Sequence, residues 1–307
     1  MNIQPDLQAL HEAYPWLLRA PNRHSDYLRP EYYDQLLPEY SFGGYSDLDL
    51  LASFLRGLQA RDGMRVLELG CGSGRATDVL FREMSDPAAV DLVDLSPQMV
   101  DFCRGRFQQQ SPNLNVYQSD SLNYLRGATS EYDVIVSLWN LSHSVHQHML
   151  RDGRAAAESR VRGAIEKLIT HRMAPGASAF LIHYDIQSPE QKLINPWRKL
   201  LWQDADPDYE VSGQTPSKII LDEVLTRAQD EGYIAFNCTH HEGDPIEYDS
   251  VDHALEVFMN FHMEGIFNSH DRLVDVLANL QAGLDEHTQD GMVAVAPGCF
   301  TYSIVRL

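Results

Sequence analysis

Three glycines at alternate positions, Gly70, Gly72 and Gly74, close the stretch Met64–Gly74, which reads M-R-V-L-E-L-G-C-G-S-G. The apolar run before them (Met64, Val66, Leu67, Leu69) is short and bounded, the pattern of a buried strand. One acid, Glu68, stands in that run, a single residue short of Gly70. Glycine lets a chain turn sharply from strand to helix while a ligand approaches the bare backbone. Where the loop opens into Arg75–Arg82 it leaves unpaired N–H groups at a helix N-terminus, a cradle for a carboxylate or a phosphate. The chain is therefore read from a strand-loop-helix unit of an α/β fold.

Two common ligands of such loops do not fit. A dinucleotide fingerprint requires G-x-G-x-x-G. Counted from Gly70 the last position is Arg75, and counted from Gly72 it is Thr77. No Gly-Lys-Ser/Thr closes a phosphate-binding loop either. The spacing present is E-x-G-x-G-x-G, and in it the chain resembles the Rossmann-like (class I) S-adenosylmethionine-dependent methyltransferases. That resemblance implies S-adenosylmethionine as cofactor, with Glu68, Gly70, Cys71, Gly72 and Gly74 forming the cofactor loop. It also implies a seven-stranded sheet, mostly parallel, with an antiparallel last strand, to which a helical lid and insertions are added.

With 307 residues and 44% hydrophobic content the chain can bury a full core. No apolar run approaches the roughly 20 residues of a membrane span, and the start, M-N-I-Q-P-D-L, lacks the regions of a signal peptide. Four well-separated cysteines, Cys71, Cys103, Cys238 and Cys299, are expected as reduced thiols in a cytoplasmic protein. The balance of 24 basic against 44 acidic residues gives a net charge of −20. Such a surface opposes a phosphate backbone, so nucleic acid is not expected as partner, and without a long apolar run neither is a membrane. Solubility explains the acidity; attraction of a cationic small substrate is the alternative.

Residues 1–45 mix tyrosines with prolines that forbid one long helix. They are expected either as a lid over the sheet's mouth or as an arm packed on the surface. Ser46 and Asp49 have capping-box spacing and should open a helix over 47–60. The turn Phe42-Gly43-Gly44-Tyr45 should bring Tyr45 beside the glycine loop, and the resemblance implies that this aromatic covers the sulfonium. After the helix at 75–84, a second strand begins near Ala89 and runs into V-D-L-S-P. Asp94, 24 residues beyond Gly70, is placed where doubly wound sheets set an acid against ribose hydroxyls. Leu95 adjoins it. Ser96-Pro97 caps the next helix, 97–110. Met99 falls where the resemblance implies an apolar contact to adenine, or it packs in the core.

The third strand, Asn115–Gln118, leads to Ser119-Asp120-Ser121. By resemblance Asp120 accepts from the adenine amine with Ser121 beside it; on spacing alone Asp120 is an N-cap, and it can do both. The fourth strand, Tyr132–Leu138, is followed by Trp139-Asn140-Leu141-Ser142-His143, where the resemblance places the cofactor's reacting end. Trp139 and Asn140 are thus cofactor contacts, and Asn140 and His143 are catalytic candidates beside the acceptor. His143, His146 and His148 could seed a metal site, but no carboxylate or cysteine at helical spacing completes one. A metal-free site is expected, with one imidazole as substrate contact or base and most of the others facing solvent.

A long helix over Arg151–Met173 should end at Pro175-Gly176. The fifth strand, Ala177–Ile186, then carries Tyr184, a third catalytic candidate, at its carboxyl end. Residues 187–214 read as an insertion over the pocket with an acidic solvated face. Thr215-Pro216 caps a helix over 217–231, and Tyr233–Thr239 is the sixth strand. A second insertion, 242–290, shows helical spacing over His253–Phe267 and His270–Gly283. Cys299–Arg306 is the final antiparallel strand. The main domain thus runs over 46–307, and its insertions resemble in layout those of histamine N-methyltransferase.

The expected activity is transfer of a methyl group to nitrogen or oxygen of a small molecule, mainly by in-line positioning and desolvation. The alternative uses the cofactor's aminocarboxypropyl arm, as in azetidine-2-carboxylate synthases, where the amine attacks the γ-carbon and methylthioadenosine leaves. A non-catalytic binding module fits the intact motifs least.

Overall fold

A computed structural model describes residues 7–19, 40–58, 63–202, 213–263, 265–268 and 270–307. Tyr27, Tyr32 and Tyr33 of the expected lid, and the acidic run 204–210, lie outside the described residues. The chain opens with α1 (Leu7–Ala13), a short 3-10 turn at Pro15–Arg19 and a small hairpin, β1 (Ser41–Phe42) with β2 (Tyr45–Ser46). Ser46 then caps α2 (Asp47–Gly57) through a reciprocal capping box with Asp49.

From there strands and helices alternate: β3 (Arg65–Leu69), α3 (Arg75–Glu83), β4 (Ala89–Asp94), α4 (Pro97–Phe107), β5 (Leu114–Gln118), α5 (Ser121–Gly127) and β6 (Tyr132–Leu138). Next come α6 (Asn140–Asp152), α7 (Arg154–Lys167), β7 (Met173–Tyr184), α8 (Pro189–Trp202), α9 (Pro216–Asp230) and β8 (Ile234–Glu242). The last part comprises β9 (Ile246–Tyr248), α10 (Val251–Val257), α11 (Leu273–Asp285), β10 (Thr288–Gln289), β11 (Met292–Val295) and β12 (Gly298–Arg306).

The main sheet has seven strands in the order β5-β4-β3-β6-β7-β12-β8. The first five are parallel, and β12 is antiparallel to both neighbours. This is the expected mostly parallel sheet with an antiparallel last strand. Successive side chains of β3 serve opposite layers: Val66 joins the core under α2 and α3, whereas Leu67 and Leu69 join the core under α5, α6, α7 and α9. A strand covered on both faces needs the near-continuous apolar run seen there.

Three expectations about elements change. The single helix over Arg151–Met173 is two helices broken at Gly153, whose φ of 77° suits glycine, followed by a π-turn at Leu168–Arg172. Pro175-Gly176 does not end that helix; it lies inside β7, where the register against β6 shifts between Tyr132 and Val134. Proline lacks a donor for the ladder, so the pair is accommodated as a bulge. The second insertion, with the strand just after it, also forms a three-stranded sheet, β10-β11-β9, too short for its alternation to stand out in sequence.

Candidate active site

The carboxyl ends of β3, β4, β6 and β7 open on one cavity, the edge where open α/β sheets bind ligands. Its lining includes Gly70, Gly72, Asp94, Leu95, Met99, Ser121, Trp139, Asn140, His143 and Tyr184. Residues far apart in sequence are thus brought together as expected. Gly70 donates its N–H to the Val93 carbonyl at 2.7 Å, which ties the loop to β4. A Cβ on Gly70 would stand 2.2 Å from Asn140 Cγ, so that glycine makes room for the asparagine. A Cβ on Gly72 would meet no atom within 4 Å, and φ there is +51°. Bare backbone at Gly72 therefore faces open space in the cavity. Gly74 is instead closed over by Phe107.

Asp94 braces this loop. One of its carboxyl oxygens accepts from Gly72 N and the other from Ser96 N, each at 2.9 Å. Burial raises its pKa, and the backbone N–H groups oppose that rise. With backbone groups of Gly72, Leu95 and Ser96 around it, the carboxyl group still has lone-pair capacity for a ligand hydroxyl. Glu68, by contrast, is sealed beneath the loop. It accepts from Thr77 Oγ1 at 2.7 Å, and burial pushes its pKa up to about 8. Glu68, Cys71 and Gly74 do not line the cavity. They hold the loop from behind rather than opening on the cavity, where direct cofactor contacts are expected.

Asp120 takes the cap role that its spacing predicts. It caps α5 through Asn123 N at 3.0 Å and meets His148 Nε2 at 2.9 Å, while its neighbour Ser121 faces the cavity. Asn140 extends from the first turn of α6 and donates to Ser121 Oγ at 2.7 Å. The cap residue of that helix is Trp139, so the Asn140 side chain is not a cap. Trp139 adopts a left-handed backbone, φ 62°, a conformation that costs a non-glycine residue about 1–3 kcal/mol. Its N–H bonds the Ile182 carbonyl at 3.0 Å, and its indole N–H bonds the buried Asp47 at 2.9 Å. Arg75 pairs with the same carboxyl at 3.1 Å.

Tyr45 does not reach the cavity. It is 62% exposed, because the tight turn through Gly43 and Gly44 points it outward. Tyr40 takes that place and lies 5.0 Å from the Trp139 ring. The histidines also depart from expectation: His146 and His148 are buried rather than solvent-facing. His146 meets the Tyr184 hydroxyl and Ser217 Oγ, each at 3.3 Å, and burial holds its pKa well below the usual range. His183, beneath Tyr184, is lowered to about 4 by burial. Neutral imidazoles therefore back the tyrosine. Among the described residues no group of three or more His, Cys, Asp or Glu side chains could hold a metal ion, and none of the helices is long and apolar enough to cross a membrane.

Sequence reasoning missed the far wall. Glu190, Gln191 and Arg198 come from α8, and Phe261 and His262 from the π-turn Phe258–His262 after α10. The Arg198 guanidinium lies over the Tyr184 ring at 5.0 Å and bonds Gln191 Oε1. The available signal was the spacing of Gln191 and Arg198, two turns apart on one helix face of a segment already read as covering the pocket.

Residues 66–160 match the family described as methyltransferase domain. Ribosomal RNA small subunit methyltransferase A of Pseudomonas syringae is 28% identical over 135 residues, covering 42% of this chain and 48% of that protein. The chain thus spans about half the length of the curated relatives it matches. Among solved structures, the YcgJ protein of Bacillus subtilis is similar with a TM-score of 0.52 and 17% identity, covering 84% of this chain and 97% of that one. The cyclopropane synthase MmaA2 of Mycobacterium tuberculosis is similar with a TM-score of 0.51 and 12% identity, covering 94% and 99%. At these identities the structural likeness concerns the fold.

Proposed function

We propose that this chain, a class I (Rossmann-like) member of the S-adenosylmethionine-dependent methyltransferase superfamily, transfers the cofactor's methyl group to nitrogen or oxygen of a small molecule. The observation that carries the reading is the open backbone at Gly72 beside Asp94, in one cavity with Asn140 and Tyr184. The bound cofactor supplies an electrophilic methyl group on a sulfonium. Gly70 and Gly72 leave room for it, Asp94 and Ser121 offer polar contacts, and Met99 and Leu95 offer apolar ones. Asn140, fixed by Ser121, orients the acceptor, and His143 is the nearer group for taking its proton. Tyr184 and Trp139 present aromatic faces, which suit a cation without hydrogen-bond donors, at about 0.5–2 kcal/mol each.

A small acceptor fits better than RNA, despite the names of the partial relatives, because a net charge of −20 opposes a phosphate backbone. Free thiols at all four cysteines suit a reducing compartment such as the cytoplasm. On this reading the acceptor side is built by Tyr40 and by the described parts of the insertions 187–214 and 242–290, a layout resembling that of histamine N-methyltransferase.

A second reading rests on Asn140 and Tyr184 sharing the cavity: an oriented amide and an aromatic ring also suit attack of the cofactor's amine on its own γ-carbon. Fold does not decide between the two. Incubation with S-adenosylmethionine, alone and with a panel of small amines and phenols, followed by mass analysis, separates them. Methyl transfer leaves the cofactor intact without an acceptor and yields S-adenosylhomocysteine with one. Methylthioadenosine formed from the cofactor alone would establish the second reading.

A further inference from the structure

Two buried polar atoms on the far wall of the cavity have no hydrogen-bond partner among the described residues: Glu190 Oε2 and His262 Nε2. Both residues line the cavity, and their side chains are only 4% and 3% exposed. Unmet buried polar atoms are costly, by about 1–3 kcal/mol each, so their persistence needs a reason. Both are rigidly held. Glu190 lies in the first turn of α8, with its N–H on the Ala296 carbonyl at 3.1 Å, and its other oxygen accepts from Gln191 Nε2 at 2.7 Å. The His262 ring packs 4.6 Å from Phe258 and 5.0 Å from Phe261.

Their chemistry is alike. His262 Nδ1 lies 3.8 Å from Glu190 Oε1. Burial lowers the pKa of the imidazole, with Arg198 acting in the same direction and Glu190 against it. In the neutral tautomer that carries its proton on Nδ1, toward Glu190, the ring presents a lone pair at Nε2. Glu190 and His262 thus bring two acceptor atoms to the wall of a cavity that the rings of Tyr184 and Phe261 also line. The neighbouring cation, Arg198, is turned onto Tyr184 and Gln191.

We infer that Glu190 and His262 recognise the acceptor substrate, and that this substrate is a small amine whose N–H groups satisfy Glu190 Oε2 and His262 Nε2. The inference rests on the methyl-transfer reading of the same cavity. It gives the two insertions a shared task, since one supplies the carboxyl group and the other the imidazole. A neutral or anionic acceptor without donors would leave both atoms unmet.

The test uses the full chain saturated with S-adenosylhomocysteine and titrated by calorimetry with 2-phenylethylamine and with phenylacetate. The amine should bind at least about tenfold more tightly than the acid. Glu190→Gln, nearly the same shape, turns an acceptor into a donor and should weaken the amine about tenfold or more. It should leave S-adenosylhomocysteine affinity within about twofold. His262→Phe keeps the ring packing and should also weaken the amine, which guards against a folding defect in one variant. Equal affinity for phenylacetate, or unchanged amine binding in both variants, overturns the inference while leaving the cofactor reading intact. Failure of the wild type to bind S-adenosylhomocysteine removes both.

Discussion

The two walls of the cavity are built on different principles. The wall at β3 and β4 is made of backbone and of side chains whose hydrogen bonds are met inside the protein: Gly70 on Val93, Gly72 and Ser96 on Asp94, Asn140 on Ser121. The opposite wall is made of side chains from two insertions, and there buried polar atoms at Glu190 and His262 remain unmet among the described residues. A satisfied wall is preorganised for one constant ligand. An unsatisfied wall is finished by a second, and that division is what an enzyme with a shared cofactor and a particular acceptor requires.

The largest effect expected on the first wall comes from Gly70→Ala. Its Cβ would lie 2.2 Å from Asn140 Cγ at φ +75°, and Asn140 is held by Ser121. Melting should drop and S-adenosylhomocysteine binding should be lost; a variant that binds normally would show the loop to be slack. Next is the buried acid behind the loop. Glu68 is raised to about 8 in the folded protein from an ordinary value of 4.5. Below pH 4.5 both states are protonated and nothing is lost. Between the two values the unfolded chain releases its proton while the native one keeps it, so stability falls as pH rises. Denaturant melts of wild type and Glu68→Gln should diverge from pH 5 to pH 8, the wild type losing on the order of a few kcal/mol relative to the variant. Parallel curves would mean the carboxyl group is not desolvated.

Between the walls, Asn140→Ala should depress kcat by ~100-fold with S-adenosylhomocysteine affinity near wild type, because misplacement of the acceptor by about 1 Å costs that much. An equal loss of cofactor affinity would assign Asn140 to the first wall alone. Asp94→Ala should weaken S-adenosylhomocysteine roughly ten- to a hundredfold by calorimetry, and wild-type affinity would remove Asp94 from ligand contact. The smallest effect is at Tyr184. Phenylalanine there should retain most activity, and alanine should lower turnover more than cofactor affinity, by ~0.5–2 kcal/mol. Equal damage from both would transfer the role from the ring to the hydroxyl, which lies 3.3 Å from His146.

The same contrast explains what could be read in the sequence. The first wall depends on local signals: a bounded apolar run, glycines at fixed spacing, an acid at a strand end and a Ser-Pro cap. Gly70, Gly72, Asp94, Met99, Ser121, Asn140 and Tyr184 accordingly come together in one cavity. The second wall depends on where two insertions fold back, which no local pattern encodes, so Glu190, Arg198 and His262 were invisible as a set. Tyr45 failed for a related reason. The turn was recognised, but the direction in which Gly43 and Gly44 send the next side chain is a tertiary matter, and Tyr40 fills the place instead. Asp120 shows that one residue type at one spacing serves two purposes: its cap and its contact with His148 draw it away from the cavity that Ser121 lines.

The most direct test of two separable walls is a titration of S-adenosylhomocysteine into wild type, Gly72→Val and Glu190→Gln. Valine at Gly72 would fill the open space that faces the cavity with a β-branched side chain. The wild type should bind one equivalent, Glu190→Gln should bind as the wild type does, and Gly72→Val, strained at φ +51° and so melting lower, should still fold and bind none. Normal binding by Gly72→Val, or loss of binding in Glu190→Gln, would contradict the account.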